Sequence, residues 1–219
     1  MKICVIAKRI GDVPWVEGVK TFHYDMFHGK AERRGSTFST WEPYFLDDRL
    51  EHPLCVTINA FAPPDVFKPN QAFVVSETVR KGLARFPNIR FLKVKIEKVY
   101  YYTWTVGDTS YYDTHEGSEV EDEFIAAQPH NPVYAARLPD YYEVIPQDME
   151  TAMEADPGGI IKEVSIDISD EYRTCHVSEN VLRAYPLLWN RYHLCNEQVA
   201  TVLLAFLDRR FFLVKWLEI

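Results

Sequence analysis

The sequence predicts an α+β fold, with a mixed or largely antiparallel sheet and a few packed helices. Three observations carry this. Short apolar runs rich in β-branched and aromatic residues recur along the chain. Helical apolar spacing appears only in brief stretches that directly follow such runs. One strand–helix–strand pattern, over residues 73–96, returns at residues 193–216. The chain has 219 residues, 47% of them hydrophobic and 26% charged, which excludes a disordered chain and allows one domain over 1–219.

Lys2 to Ala7 reads as the opening strand. Residues 11–52 are aromatic and polar without a period, and predict irregular structure with short strands. Cys55–Ile58 reads as a strand stopped by Pro63-Pro64. Phe73–Val75 follows as a strand, with Ser76 as a helix cap and Glu77 in the first turn, where the helix dipole favours a carboxylate. Val79, Leu83 and Phe86 fall on one helical face, Pro87-Asn88 ends the helix, and Ile89–Val99 reads as one strand.

At the C-terminus His193–Cys195 reads as a strand, Asn196 as the cap and Glu197 as the first-turn acid. Val199, Leu203 and Phe206 form the helical face, and Arg210–Leu217 is the returning strand. At an offset of 120, eight of the 24 positions are identical between the two segments. Glu77/Glu197, Val79/Val199, Leu83/Leu203 and Phe86/Phe206 are four of these pairs; Arg90/Arg210, Phe91/Phe211, Val94/Val214 and Lys95/Lys215 are the others. An internal repeat and a pair of units that merely obey the same pattern both explain the match. Ser178 heads a third short helix, with Val181, Leu182 and Tyr185 on its apolar face and Pro186 interrupting it.

The net charge is −8, which argues against a general nucleic-acid binder. It is unevenly spread. Residues 107–171 hold 17 acidic and two basic side chains, a balance of −15, and the remainder carries +7. The densest run is Glu116, Glu119, Glu121, Asp122 and Glu123, beside Tyr111 and Tyr112. Such a run is a solvated loop or an electrostatic surface for a basic partner, and these seven residues are the candidate partner-binding set.

The four cysteines show no C-x-x-C spacing and are too sparse for a disulfide scaffold; Cys4, Cys55 and Cys195 lie among apolar neighbours and read as buried. The first apolar run stops at Lys8, too short for a signal core, and no stretch is long enough to span a bilayer, so a cytoplasmic, non-membrane protein is expected. No chemical motif is complete. His23 and His28 lack zinc-helix spacing, the acidic stretch from Asp113 places Phe124 where a calcium loop needs Glu, and Gly158-Gly159 has no phosphate-loop lysine after it. No enzyme activity, metal or cofactor is expected.

The element Phe73-Val74-Val75-Ser76-Glu77-Thr78-Val79-Arg80, followed by the strand Phe91–Val94, resembles a strand-to-helix start found in bacterial immunity proteins that protect cells from polymorphic toxins. Val177–Val181 echoes it. The resemblance implies an inhibitor that binds a cognate toxin and has no catalytic residues of its own. The charge asymmetry independently suits a basic toxin. The alternatives are a small-molecule or carbohydrate-binding module using aromatics of Tyr100–Trp104, and a hydrolase with dispersed carboxylates. The oligomeric state stays open.

Overall fold

The computed structural model describes residues 2–8, 31–32, 51–59, 64–68, 72–101, 127–155, 161–168, 171–190, 192–207, 209 and 212–218. In chain order these form β1 (Lys2–Lys8), β2 (Ala31–Glu32), β3 (Cys55–Asn59), β4 (Val66–Phe67) and β5 (Phe73–Ser76), then α1 (Glu77–Leu83). β6 (Arg90–Lys93), β7 (Lys95–Tyr100), α2 (Pro132–Ala135), β8 (Tyr141–Ile145), β9 (Gln147–Asp148) and α3 (Met149–Glu154) follow. The last part contains β10 (Ile161–Ile168), β11 (Glu171–Ser178), α4 (Glu179–Ala184), β12 (Leu187–Asn190), β13 (Tyr192–Asn196), α5 (Glu197–Leu204) and β14 (Phe212–Glu218). The fold is α+β. The sheets run β14-β1-β13-β12-β9, β4-β5-β8-β6 and β2-β3-β7, with β10-β11 as a hairpin. β3–β7 and β9–β12 pair in parallel, and the other pairings among the described residues are antiparallel.

The strand order reveals a repeated unit. β4-β5-β8-β6 has the same order and the same register as β12-β13-β1-β14. Val75 faces Val66 as Cys195 faces Leu187, and Ser76 faces Tyr141 as Asn196 faces Ile3. The Ser76 amide donates to the Asp65 carbonyl at 2.8 Å, and the Asn196 amide donates to the Pro186 carbonyl at 3.1 Å. Phe86 and Phe206 likewise each donate an amide hydrogen bond of 3.0 Å to Leu83 and Leu203.

The offset of 120 therefore holds from strand through helix. It does not hold beyond. Phe91 faces Val144 where Val214 faces Ile6, so the returning strands match at an offset of 123. The identities Arg90/Arg210, Phe91/Phe211, Val94/Val214 and Lys95/Lys215 thus join positions that are not equivalent. In the second unit three more residues separate Phe206 from its matching strand position than separate Phe86 from its own. Its central strand also has a different origin. In the first unit that strand is β8, which follows β6; in the second it is β1, from the other end of the chain.

The two units meet at equivalent positions, as at a two-fold axis. The Phe73 ring lies 4.6 Å from that of its counterpart His193. α1 packs on α5, where a Cβ added to Gly82 would stand 2.9 Å from Cγ1 of Val202, its counterpart. Side chains alternate between faces along each strand, so each sheet feeds two cores. Cys4, Ile6, Phe73, Val75, Cys195 and Phe212 face the central core with Val79, Leu83, Val199 and Leu203 from the helices. Ile3, Val5 and Leu194 face the opposite way, toward Met149, Ala152, Val181 and Leu182 of α3 and α4. Val74 and Tyr141 turn away from the central core, toward Val56 and Ile58 of β3.

Several local expectations need correction. Ser76 occupies the cap position of α1 but its side chain does not cap; it is buried and its hydroxyl donates to the Asp65 carboxylate. The pairing of β4 with β5 brings that carboxylate close enough to win the hydroxyl. Asn196 and Ser178 do cap, accepting the amides of Val199 at 3.0 Å and Val181 at 3.1 Å. Asn196→Ala is expected to cost about 1 kcal/mol, read as a shift in the urea midpoint. Residues 89–99 are not one strand. The chain changes sheets at Val94, whose amide donates to Tyr141 while the next amide donates to Leu54. Apolar alternation continues on both sides of that step, which is why it reads as unbroken. Helix α1 already ends at Leu83, and Phe206 lies past α5 and is 38% exposed rather than core.

Glu77 forms ion pairs with Arg80 and Lys81 along α1. The Arg80 guanidinium also sits over the Tyr142 ring, 4.8 Å from its centroid. Hydrogen bonding from Arg80 lowers the Glu77 carboxyl from 4.5 to about 2. A depressed folded value stabilises the fold above the unfolded value and is lost as pH falls through the folded one. The contribution of Glu77 is therefore expected to be complete above pH 4.5 and to vanish on the way down to about 2. Urea stability followed against pH should lose that part of the acid slope in Glu77→Gln.

Candidate functional site

The acidic window of residues 107–171 does not act as one surface. Asp140 forms an ion pair with Lys93 at 3.0 Å. Asp148 caps α3, accepting the Thr151 amide at 2.9 Å. Glu163 stands 3.8 Å from His176 across the β10–β11 hairpin. Glu143 is fully buried on β8. The available sequence signal is that it lies inside the otherwise apolar run Tyr141–Ile145, which reads as a strand buried on both faces.

These assignments concentrate the functional interest on residues 102–126. That stretch holds seven acidic side chains and no lysine or arginine. All seven candidate residues, Tyr111, Tyr112, Glu116, Glu119, Glu121, Asp122 and Glu123, fall in it and lie outside the described residues. Tyr102 and Trp104 do so as well.

The two flanks of the stretch are described, and the fold joins them. β7 delivers Val99, Tyr100 and Tyr101, and the chain returns toward α2. The Asn131 amide donates to the Val99 carbonyl at 2.7 Å, and the Val99 amide donates to Nδ1 of His130 at 3.2 Å. Asn131 caps α2 by accepting the Tyr134 amide at 3.2 Å, and Pro132 occupies the first turn, where its missing N–H costs nothing. The Tyr101 and Tyr134 rings then stack, 4.6 Å apart and within 10° of parallel. Tyr101 is 42% exposed and the adjacent Val133 59% exposed. The stretch therefore leaves and re-enters the fold at one place, beside a small aromatic and apolar patch. Sequence reading missed Tyr134, Val133 and His130. The Asn131-Pro132 helix start was the available signal.

Tyr100 and Tyr101 do not make a joint ligand platform. Tyr100 is buried in the strand, and one face of Tyr101 is covered by Tyr134. Cys175 is buried and its neighbour His176 exposed, on opposite faces of β11. Burial pushes the Cys175 thiol up to about 11, leaving it little thiolate character at neutral pH. Among the described residues no group of three or more His, Cys, Asp or Glu side chains gathers to hold a metal ion, and no helix is long and apolar enough to cross a membrane. No protein-family model, curated protein or solved structure matches the chain, so the likeness to immunity proteins rests on the strand–Ser-Glu–helix element of its own sequence.

Proposed function

We propose that this protein is a stoichiometric inhibitor that binds a basic toxin protein through the acidic stretch of residues 102–126. The observation that carries the reading is the joined base of that stretch. Seven acids, with no lysine or arginine among them, lie between flanks joined by the Val99–Asn131 hydrogen bond, beside the stacked Tyr101–Tyr134 pair, of which Tyr101 is exposed and Tyr134 half-buried. Clustered charge of one sign steers a basic partner and raises its on-rate, whereas aromatic contacts slow its departure. The division of labour is then testable residue by residue.

The experiment begins with capture of a partner at low salt, its purification, and titration against the purified chain. A basic protein bound one-to-one, and losing its toxic activity when bound, is the expected result. Replacing Glu119, Glu121, Asp122 and Glu123 by their amides should slow association by about tenfold or more at low salt, with little change at high salt. Tyr134→Ala should instead act mainly on dissociation. Binding unaltered by the fourfold replacement at low salt would sink the proposal.

A further inference from the structure

A different observation points to a modification site in the central core. Cys4 on β1 and Cys195 on β13 face each other directly across the antiparallel pair. Both are fully buried, both are reduced, and both side chains enter the same core. The Cys195 sulfur lies 3.6 Å from the Cys4 carbonyl oxygen. Facing residues of an antiparallel pair have Cα atoms about 4.5–5.5 Å apart, inside the range a disulfide spans. Nothing in the repeat requires these residues: Tyr142 and Val75 stand at the matching places of the first unit.

We propose that Cys4 and Cys195 are a redox pair, oxidised by hydrogen peroxide to a disulfide that fastens the first strand of the chain to β13. Cys4 is the attacking sulfur, because the adjacent Cys195 thiol and the Arg209 charge hold its thiol below the usual value against the opposing effect of burial. The Cys4 thiolate attacks one peroxide oxygen, the O–O bond breaks, and hydroxide leaves to become water. The resulting sulfenic acid is attacked by the Cys195 sulfur; the S–O bond breaks, the Cys195 proton is given up, and a second water forms. Two thiols and one peroxide thus become one disulfide and two waters. The bond matters because β1 completes the second unit from the far end of the chain, so it ties that unit shut.

The test treats the folded full chain with hydrogen peroxide, blocks remaining thiols after unfolding, and maps peptides without reduction. The expected product is a monomer lighter by two hydrogen atoms, linked Cys4 to Cys195, restored by a reducing agent, with a raised urea midpoint while oxidised. Cys4→Ser should abolish the link and Cys175→Ser should leave it intact. Since Cys4→Ser could disturb the core, the peptide map of the unaltered chain decides independently. Both thiols still free, a link through Cys55 or Cys175, or over-oxidation of Cys4 without a link would each overturn the proposal.

Discussion

Replacing Phe73 by alanine is expected to lower the unfolding free energy by about 3–5 kcal/mol. The side chain is fully buried where the two repeated units touch. Its ring lies 4.6 Å from His193, tilted by 31°, and meets the Phe212 ring edge-on at 6.3 Å. A cavity there would be walled by strands of two sheets, and hydrogen-bonded strands cannot easily collapse to fill it. Against a typical stability of about 5–15 kcal/mol, that loss is a large share. Urea unfolding measures it directly. Phe206→Ala, at a half-exposed position outside the core, provides the contrast and should cost about 1 kcal/mol or less. Equal costs at the two sites would mean the seam is not where the units are held together.

Gly82→Val should destabilise the fold by about 1–3 kcal/mol through overpacking. The new Cβ alone would lie 2.9 Å from Cγ1 of Val202, and valine at 202 is stiff about χ1, so it cannot swing aside. Gly82→Ala is the subtler case. It meets the same methyl but gains about 1 kcal/mol of helix propensity, so its net effect should be small. The decisive measurement is the double variant. Trimming Val202 to alanine in the Gly82→Val background should return about 1 kcal/mol or more beyond additivity. Strict additivity would show that α1 and α5 do not press on each other at these positions.

Both expectations rest on contacts that only the folded chain displays, yet their ingredients were visible beforehand. The short apolar runs at Lys2–Ala7, Phe73–Val75 and His193–Cys195 became β1, β5 and β13, within a residue or two at each end. The helical spacing of Val79 and Leu83, and of Val199 and Leu203, became the facing surfaces of α1 and α5. The cap residues Asn196 and Ser178 were legible because the amide they satisfy is three residues away. Ser76 was not, because its partner Asp65 is eleven residues back, on the far side of the β4–β5 pairing. The candidate acids were read from charge density, whereas the meeting of the flanks of residues 102–126 through Val99 and Asn131 is a contact between positions separated by the whole stretch.

Short-range chemistry therefore settled β1, β3, β5, β13 and β14, the helices α1, α4 and α5, and where charge gathers, because each depends on neighbours within a turn or along one strand. Pairing was decided only by the assembled fold. That β1 completes the C-terminal unit, that residues 89–99 serve two sheets, that Gly82 faces Val202, and that Cys4 meets Cys195 are contacts between distant parts of the chain. Alternating apolar residues specify that a strand has a buried face, but many partners could bury it. Matching register, close helix approach and a shared core select one set of partners, and those terms exist only once the sheets have formed.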